Sequence, residues 1–153
     1  IKIMIRLHTM TIWNNPQIIK NIKLKYNDNK NIKIESNLNS LYSFIDSDLM
    51  ISDWSGAAIE FAFLKKKPVI FIDTLQKTKN LKWDLINDTT FEKEIRNEIG
   101  YVIGKNDIKD MGRVLNELIS KNKIKKFENL LNKSVFNVGN STQIAVNEIL
   151  KHL

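Results

Sequence analysis

The chain has 153 residues, 42% hydrophobic and 27% charged, with a formal charge of +7 and no cysteine. Such a composition predicts one folded domain with a buried core and excludes a largely disordered chain. The lack of cysteine excludes disulfides, a thiolate nucleophile and a cysteine zinc site. The positive charge suits a nucleotide, a polyanion or an anionic membrane as partner. No RNA-binding, helix-turn-helix or zinc-finger pattern accompanies it, so we expect no nucleic acid.

Strand and helix patterns alternate over the first part of the chain. Residues 2–7 alternate Ile with basic residues and predict a strand, which ends in a polar segment at 8–11. Pro16 lies near the first turn of a helix whose inner stripe holds Ile18, Ile19, Ile22 and Tyr26. A loop at 27–31, a strand at 32–35 and a short helix follow, and that helix is predicted to pack through Leu38, Leu41, Tyr42 and Ile45. Crossovers of this length predict a doubly wound parallel sheet.

The most informative stretch, residues 48–73, has the pattern strand, turn, helix, strand. Residues 49–51 and 69–72 are short apolar runs, typical of parallel strands that are buried on both faces. Residues 56–66 predict the crossover helix, whose apolar stripe holds Ala57, Ala58, Ile59, Phe61, Ala62 and Leu64. The turn at 52–56 therefore lies where a helix exposes its first unpaired N–H groups, a position that attracts anions.

Two interpretations of this turn follow from its residues. Gly56 would let a phosphate approach the backbone closely, and the Ser55 hydroxyl can donate a hydrogen bond to it. A serine or an aspartate before a helix is also an ordinary N-cap that binds no ligand. The residue types alone favour this second interpretation.

Beyond residue 73 the alternation continues. Residues 74–80 predict a loop at the ligand edge, and Trp83 and Leu85, in an ambiguous stretch at 81–90, are expected to cover the core. Residues 91–99 predict a helix, and residues 100–104 predict the last strand, with a glycine at each end.

The C-terminal part is predicted to be helical. Asp107 caps a helix at 108–120, whose inner face is expected to hold Met111, Leu115, Leu118 and Ile119. The basic run at 121–126 leads into a second helix with Phe127, Leu130 and Leu131 on one side. This helix is either an ordinary surface helix or a segment that lies on a membrane. A turn at 137–140 precedes a terminal helix.

Four segments share one family resemblance. They are SDWSGAAIEFAF followed by PVIFID (52–63 and 68–73), RLH (6–8), LYSFIDSD (41–48) and VFNVGNST (135–142). Together they resemble the CDP-glycerol glycerophosphotransferase family, with Leu7 in place of a usual proline. That family transfers glycerol phosphate from CDP-glycerol to teichoic-acid-like cell-wall or capsule polymers. The resemblance implies the C-terminal, donor-binding half of a two-domain GT-B fold. Residues 1–153 would thus be a single three-layer α/β/α Rossmann-like domain with a mainly parallel sheet.

The resemblance also implies a set of site residues. His8 matches a functional histidine of the family and would stabilise charge on the leaving CMP, with Ser55 as its catalytic companion. The full donor site would consist of Arg6, His8, Ser52, Asp53, Ser55, Gly56, Ala57 and Glu60. Trp54 either lines this site or is a buried aromatic beside the turn.

Glu60 and two lysines of the loop at 74–80 are further candidates, and each has an alternative role in ordinary structure. Glu60 would accept hydrogen bonds from the ribose hydroxyls, or it is an acid near the helix dipole that pairs with Lys65 or Lys66. Lys77 and Lys79 are candidates for contact with donor phosphate or with an anionic acceptor, or they are solvated loop lysines.

The sequence also restricts the reaction. It contains no Gly-rich nucleotide fingerprint and no His/Asp/Glu spacing typical of a metal site, which argues against NTP hydrolysis and hydride transfer. Asp46 and Asp48 suggest Mg²⁺ only weakly, and GT-B enzymes work without a bound metal, so we expect neither a metal nor a cofactor. The acceptor would be a polyanionic polymer or a lipid-linked molecule.

The chain begins at Ile1 and enters a strand at once, so we expect a fragment that lacks an N-terminal half and is inactive alone. We expect it in the cytoplasm or peripherally on the inner face of the membrane, since no apolar run is long enough to span a bilayer. A nucleotide-sugar glycosyltransferase of capsule or lipopolysaccharide synthesis is the nearest alternative. A flavodoxin-like or receiver-like regulatory or interaction domain is an alternative of another class.

Overall fold

The computed structural model describes residues 1–35, 41–76, 80, 82–85, 89–120 and 124–153. The chain is a mixed α/β protein, and all strand pairs of the described residues are parallel. It divides into two compact units, Ile1–Ser47 and Asp48–Leu153, and each unit contains one small sheet. Parallel strands that are connected through helices and flanked by them are the arrangement of a Rossmann-like α/β/α fold, so the expected fold class is confirmed.

The described residues of the first unit form two strands and three helices. In chain order these are β1 (Ile3–Arg6), α1 (Thr9–Asn14), α2 (Gln17–Tyr26), β2 (Ile32–Glu35) and α3 (Tyr42–Asp46). β1 pairs with β2 from Ile3 opposite Ile32 to Arg6 opposite Glu35. Both strands and α2 are confirmed where the sequence predicted them. The short α1 was not predicted, because residues 8–11 had been interpreted only as a polar strand end.

The inner face of α3 differs from the prediction. Leu41, Tyr42 and Ile45 were expected to pack inward, but they are 61%, 71% and 56% exposed. The buried position is instead Ser43, whose hydroxyl accepts a hydrogen bond from Arg6 Nη1 at 3.0 Å. The Arg6 guanidinium also lies over the Phe44 ring. A polar contact to β1 therefore orients this helix, and hydrophobicity alone does not reveal it. Leu38 lies outside the described residues.

The described residues of the second unit form three strands and five α-helices. These are β3 (Met50–Ser52), α4 (Gly56–Lys65), β4 (Val69–Asp73), α5 (Phe91–Ile99), β5 (Gly100–Gly104), α6 (Met111–Ser120), α7 (Ile124–Ser134) and α8 (Ser141–Leu150). The sheet order is β3-β4-β5, with β4 in the centre. Because the strands are parallel, β3 and β4 both end at one edge of the sheet, at Ser52 and Asp73. The predicted βαβ unit and the bounds of α5 and β5 are confirmed.

The core of the second unit lies on both faces of β4. Val69, Ile70 and Phe71 are at most 1% exposed. Ile70 packs with Ile103 and with α6 on one face, whereas Phe71 points to the opposite face, where α5 lies against it. The helices therefore cover β4 from two sides, and α4 contributes the fully buried Ala58, Phe61 and Ala62.

Burial was also predicted wrongly in β3 and in the stretch at 81–90. Ile51 was assigned to a strand buried on both faces, but it is 44% exposed, because among the described strands β3 pairs only with β4 at the sheet edge. Trp83 and Leu85 were expected to cover the core, yet they are 50% and 72% exposed in a short 3-10 turn. Apolar character does not determine burial where the chain has no regular period.

The helix predicted at 108–120 begins later than expected. Residues 105–110 form a 3-10 helix that contains Asp107, and α6 begins at Met111. Val114, which the predicted inner face left out, is the most buried residue of α6, and Ile119, which was expected to face inward, is 56% exposed. Met111, Val114 and Leu118 share one face of α6 at ordinary helical spacing. In α7, Phe127 is buried as predicted, whereas α8 has no buried residue.

Candidate functional site

The β3–α4 turn leaves the start of α4 without a side-chain cap. Ser55 is the N-cap residue, in an extended conformation, and its carbonyl oxygen accepts a hydrogen bond from the Ala58 N–H at 3.1 Å. Its hydroxyl makes no hydrogen bond to the helix. Among the described residues, nothing accepts a hydrogen bond from the backbone N–H groups of Gly56 and Ala57. Two amide donors and one hydroxyl therefore remain for a ligand at this helix end.

Gly56 faces open space. A Cβ built on it would have no atom within 4 Å, and its backbone does not adopt the left-handed conformation that favours glycine. Neither packing nor backbone geometry therefore prevents a side chain at this position. No other part of the described protein therefore occupies the position where a Gly56 side chain would begin, and this side of the helix start is open to an anion.

Trp54 connects this turn to the end of β4. Its indole Nε1 donates a hydrogen bond to the Thr74 carbonyl oxygen at 2.9 Å. Trp54 is partly buried, like Ser52, Asp53 and Ser55. It therefore anchors the turn at the carboxyl edge of the sheet.

Arg96 of α5 also lies at this carboxyl edge of the sheet, against Trp54. It is 5% exposed, and its guanidinium carbon lies 3.9 Å from the centre of the Trp54 ring and 5.1 Å from that of Phe71. Nη1 donates a hydrogen bond to Asp73 Oδ1 at 3.2 Å. Nε and Nη2 are buried and have no hydrogen-bond partner in the described part of the chain, and the same holds for Thr74 Oγ1. The edge thus contains buried polar groups that no described residue satisfies.

The sequence interpretation missed Arg96. In an amphipathic helix, arginine is normally assigned to the solvent face, and the sequence analysis of residues 91–99 gave Arg96 no role. A signal was nevertheless present, because Arg96 follows Ile95 and precedes Ile99 by three positions, and both isoleucines are buried. A charged residue next to the apolar stripe of a helix suggests a buried partner.

Glu60, the proposed ribose ligand, is exposed one turn into α4. Its alternative role as an ion-pair partner receives no support from Lys66, which instead pairs with Glu128 at 2.5 Å. Glu60 makes no ion pair with any residue that the structure describes. Its carboxylate is therefore accessible to a ligand.

Arg6 and His8 lie in the first unit. Arg6 pairs with Glu35 at 3.2 Å, and the Glu35 side chain is only 8% exposed, so Arg6 has a structural role there. His8 is the N-cap of α1, and its Nδ1 accepts a hydrogen bond from the Met10 N–H at 3.1 Å. A neutral His8 therefore carries its proton on Nε2, which leaves Nε2–H as a donor. Its contact with a donor phosphate stays a prediction.

The structure gives no ligand-binding role to the remaining sequence-based candidates. Lys77 and Lys79 lie outside the described residues, as do residues 121–123 of the basic run. Asp48 forms an ion pair with Lys67 at 3.4 Å. Within the described ranges, no group of three or more His, Asp or Glu residues could hold a metal ion. No helix of the described residues is long and apolar enough to cross a membrane.

Comparisons with protein-family models, with curated proteins and with solved structures found no match to the chain. The function of this sheet edge is therefore inferred from its own residues. These are the uncapped start of α4, the open space at Gly56 and the buried guanidinium of Arg96.

Proposed function

We propose that the Asp48–Leu153 unit binds the diphosphate of a nucleotide-linked donor at the β3–α4 turn. The observation that carries this proposal is that Ser55 does not cap α4, so its hydroxyl and the Gly56 and Ala57 amides remain available. The helix dipole adds about 0.3–1 kcal/mol for an anion at this position. An ordinary N-cap, the main alternative for this turn, would have used the hydroxyl internally.

The family resemblance of the sequence supports CDP-glycerol as the donor. The chain would then be the donor-binding domain of a transferase that moves glycerol phosphate to an acceptor polymer. In this reaction an acceptor hydroxyl attacks the β-phosphorus in line, a P–O bond forms, and the bond to the bridging oxygen breaks as CMP leaves. The hydroxyl proton passes to a base in the upstream half of the enzyme.

This unit would act on the leaving group. Negative charge builds up on the α-phosphate of CMP, and fixed N–H and O–H donors at the start of α4 would stabilise it without reorganisation. A donor role for His8, which lies in the first unit, rests on the resemblance alone; Nε2–H is its remaining donor, because Nδ1 accepts a hydrogen bond from the Met10 amide. Glu60 offers two acceptor oxygens to the two ribose hydroxyls.

A nucleotide-sugar glycosyltransferase is the second candidate, because the same observation favours it. The start of α4 would contact only the phosphates of a donor, and both donor classes carry a diphosphate. The base and the transferred group distinguish the two functions. A regulatory domain that binds no donor is the third outcome of the test.

Titration calorimetry of CDP-glycerol, UDP-sugars and CMP tests the proposal. We expect micromolar binding of cytidine nucleotides, weakened about tenfold or more in Ser55→Ala and in His8→Ala, since each loses a hydrogen bond to a charged group. Ser120→Ala, in which the lost hydroxyl is exposed and bonds to a carbonyl of its own helix, is the matched control. Preference for uridine nucleotides would favour the second candidate. No nucleotide binding, even when the upstream half is present, would contradict both transferase functions.

A further inference from the structure

We propose that Arg96 binds a phosphoryl group through its Nε/Nη2 edge and that the negative charge of Asp73, bonded to Nη1, weakens this binding. Only the identification of this phosphoryl group with that of a donor rests on the proposed function. The evidence begins with burial, because Arg96 is 5% exposed and carries five N–H donors in its guanidinium. In the described structure only Nη1 has a hydrogen-bond partner, whereas Nε and Nη2 have none. A buried charged group with unpaired donors is unfavourable, so these donors require an explanation.

The unpaired donors lie on the edge that suits an oxyanion best. Nε–H and one Nη2–H are parallel, and their spacing matches two oxygens of a phosphate or a carboxylate. Asp73 does not use this edge, because its Oδ1 is bonded to Nη1. The ring of Trp54, 3.9 Å away, and that of Phe71, 5.1 Å away, fix the position of the guanidinium. The bidentate edge is thus held in place before any ligand arrives.

The surroundings favour a phosphoryl group. Trp54 precedes Ser55 directly, so the residue in contact with Arg96 belongs to the turn that starts α4. The Thr74 hydroxyl, next to Asp73, is a further buried polar group without a partner in the described residues. A tetrahedral phosphoryl group offers three terminal oxygens to such donors, whereas a carboxylate offers two.

Asp73 is the member of the cluster that solvent reaches. Its side chain is 52% exposed, whereas that of Arg96 is 6% exposed. A phosphoryl group that approaches Arg96 therefore meets the negative charge of Asp73, which is already paired with the guanidinium. Removal of that charge should strengthen phosphoryl binding, whereas loss of the guanidinium fork should weaken it. The two substitutions act in opposite directions, and a purely structural ion pair would not produce this pattern.

Tryptophan fluorescence of the full 153-residue chain provides the test. Trp13 and Trp83 are 72% and 50% exposed, so their replacement by Phe leaves Trp54 as the only tryptophan at low cost to the fold. We expect inorganic pyrophosphate, titrated at constant ionic strength, to produce a saturable change. Arg96→Lys, which keeps the charge but loses the fork, should weaken binding at least about tenfold, and Asp73→Asn should strengthen it about threefold or more. Arg113→Lys, at an exposed arginine of α6, is the matched control.

Three results would overturn the proposal. They are no saturable pyrophosphate binding, equal or tighter binding of acetate, and Asp73→Asn binding that is unchanged or weaker. The Asp73→Asn measurement can overturn the proposal even if Arg96→Lys fails to fold. Loss of CDP-glycerol binding in Ser55→Ala, together with normal binding in Arg96→Lys, would refute the role of Arg96 and leave the donor site intact. Pyrophosphate binding that depends on Arg96, without binding of any nucleotide, would support this role and refute the donor function.

Discussion

The guanidinium of Arg96 lies 3.9 Å from the centre of the Trp54 ring, and this contact joins α5 to the β3–α4 turn. Trp54 in turn donates a hydrogen bond to the backbone of Thr74. One stacked pair therefore holds the ends of β3 and β4 in a fixed relation to the start of α4. A cation–π contact of a desolvated arginine contributes about 2 kcal/mol.

Arg96→Met is expected to leave the free energy of unfolding unchanged, or to raise it by about 1 kcal/mol, in the absence of ligand. The substitution removes the stacking and the bond to Asp73, but it also removes a buried charge with unpaired donors. Urea denaturation measures the effect, and Ile95→Ala, expected to lose about 2–5 kcal/mol, is the control for core damage in the same helix. A loss above about 2 kcal/mol in Arg96→Met would indicate that Arg96 is mainly structural.

Gly100→Ala should disrupt the pairing of β5 with β4. A Cβ at Gly100 would lie 1.9 Å from the Val69 carbonyl oxygen, and backbone cannot move aside as the end of a side chain can. We expect a loss of about 3 kcal/mol or more in thermal or urea unfolding, or no folded protein. Gly112→Ala places the same methyl group in open space within α6 and should gain up to about 1 kcal/mol. Equal stability of the two variants would contradict the register of β4 and β5.

The pair Glu98–Lys126 should make a small, pH-dependent contribution to stability. Lys126, at 2.9 Å, donates a hydrogen bond to Glu98 and holds the pKa of this carboxyl below its usual value of 4.5. A lowered pKa in the folded state stabilises the protein above the unfolded pKa, and this gain disappears as pH falls through the folded pKa. Because both side chains are about half exposed, we expect at most about 1 kcal/mol.

Urea denaturation of the wild type and of Glu98→Gln at pH 7 and pH 3 measures this contribution. The wild type should be slightly more stable at pH 7, and the difference should shrink at pH 3. Glu92→Gln, which changes an acidic residue in the first turn of the same helix, is the control. A difference that grows towards acid would have the wrong sign.

Arg6→Met should destabilise the first unit by about 2 kcal/mol. The substitution leaves the Glu35 carboxylate, 8% exposed, without its arginine partner, and it removes the bond to the Ser43 hydroxyl. Lys33→Met, at an exposed position between Ile32 and Ile34, should have little effect. Hydrogen exchange of the β1 and β2 amides reports the change locally. Unchanged protection in Arg6→Met would show that this ion pair does not stabilise β1 and β2.

Much of the fold is predictable from sequence because apolar periodicity is a local property. The runs at 69–72 and 100–104 and the helix at 91–99 all lie where the pattern placed them. Failures occur where burial depends on a distant partner. Ser43 is buried because it meets Arg6, and Trp83 is exposed in a stretch without a regular period.

The candidate site was predictable only in part, for the same reason. The start of α4 follows from Gly56 and the apolar stripe behind it. That Ser55 does not cap the helix is a matter of side-chain conformation, which residue type does not determine. Arg96 meets Asp73 at a separation of 23 residues, and no local pattern indicates that contact.

Binding of CDP-glycerol to Gly56→Ala tests the central claim most directly. The added methyl group meets no atom within 4 Å outside its own helix start, so the fold is expected to remain intact. Because a helical Cα–Cβ bond tilts towards the N-terminus, the methyl group should hinder an anion that approaches the start of α4. Calorimetry should show affinity at least about tenfold weaker than that of the wild type. Gly112→Ala, an equally unobstructed change on α6, should bind as the wild type does. Equal affinity of Gly56→Ala and the wild type, with both folded, would contradict a phosphate site at the start of α4.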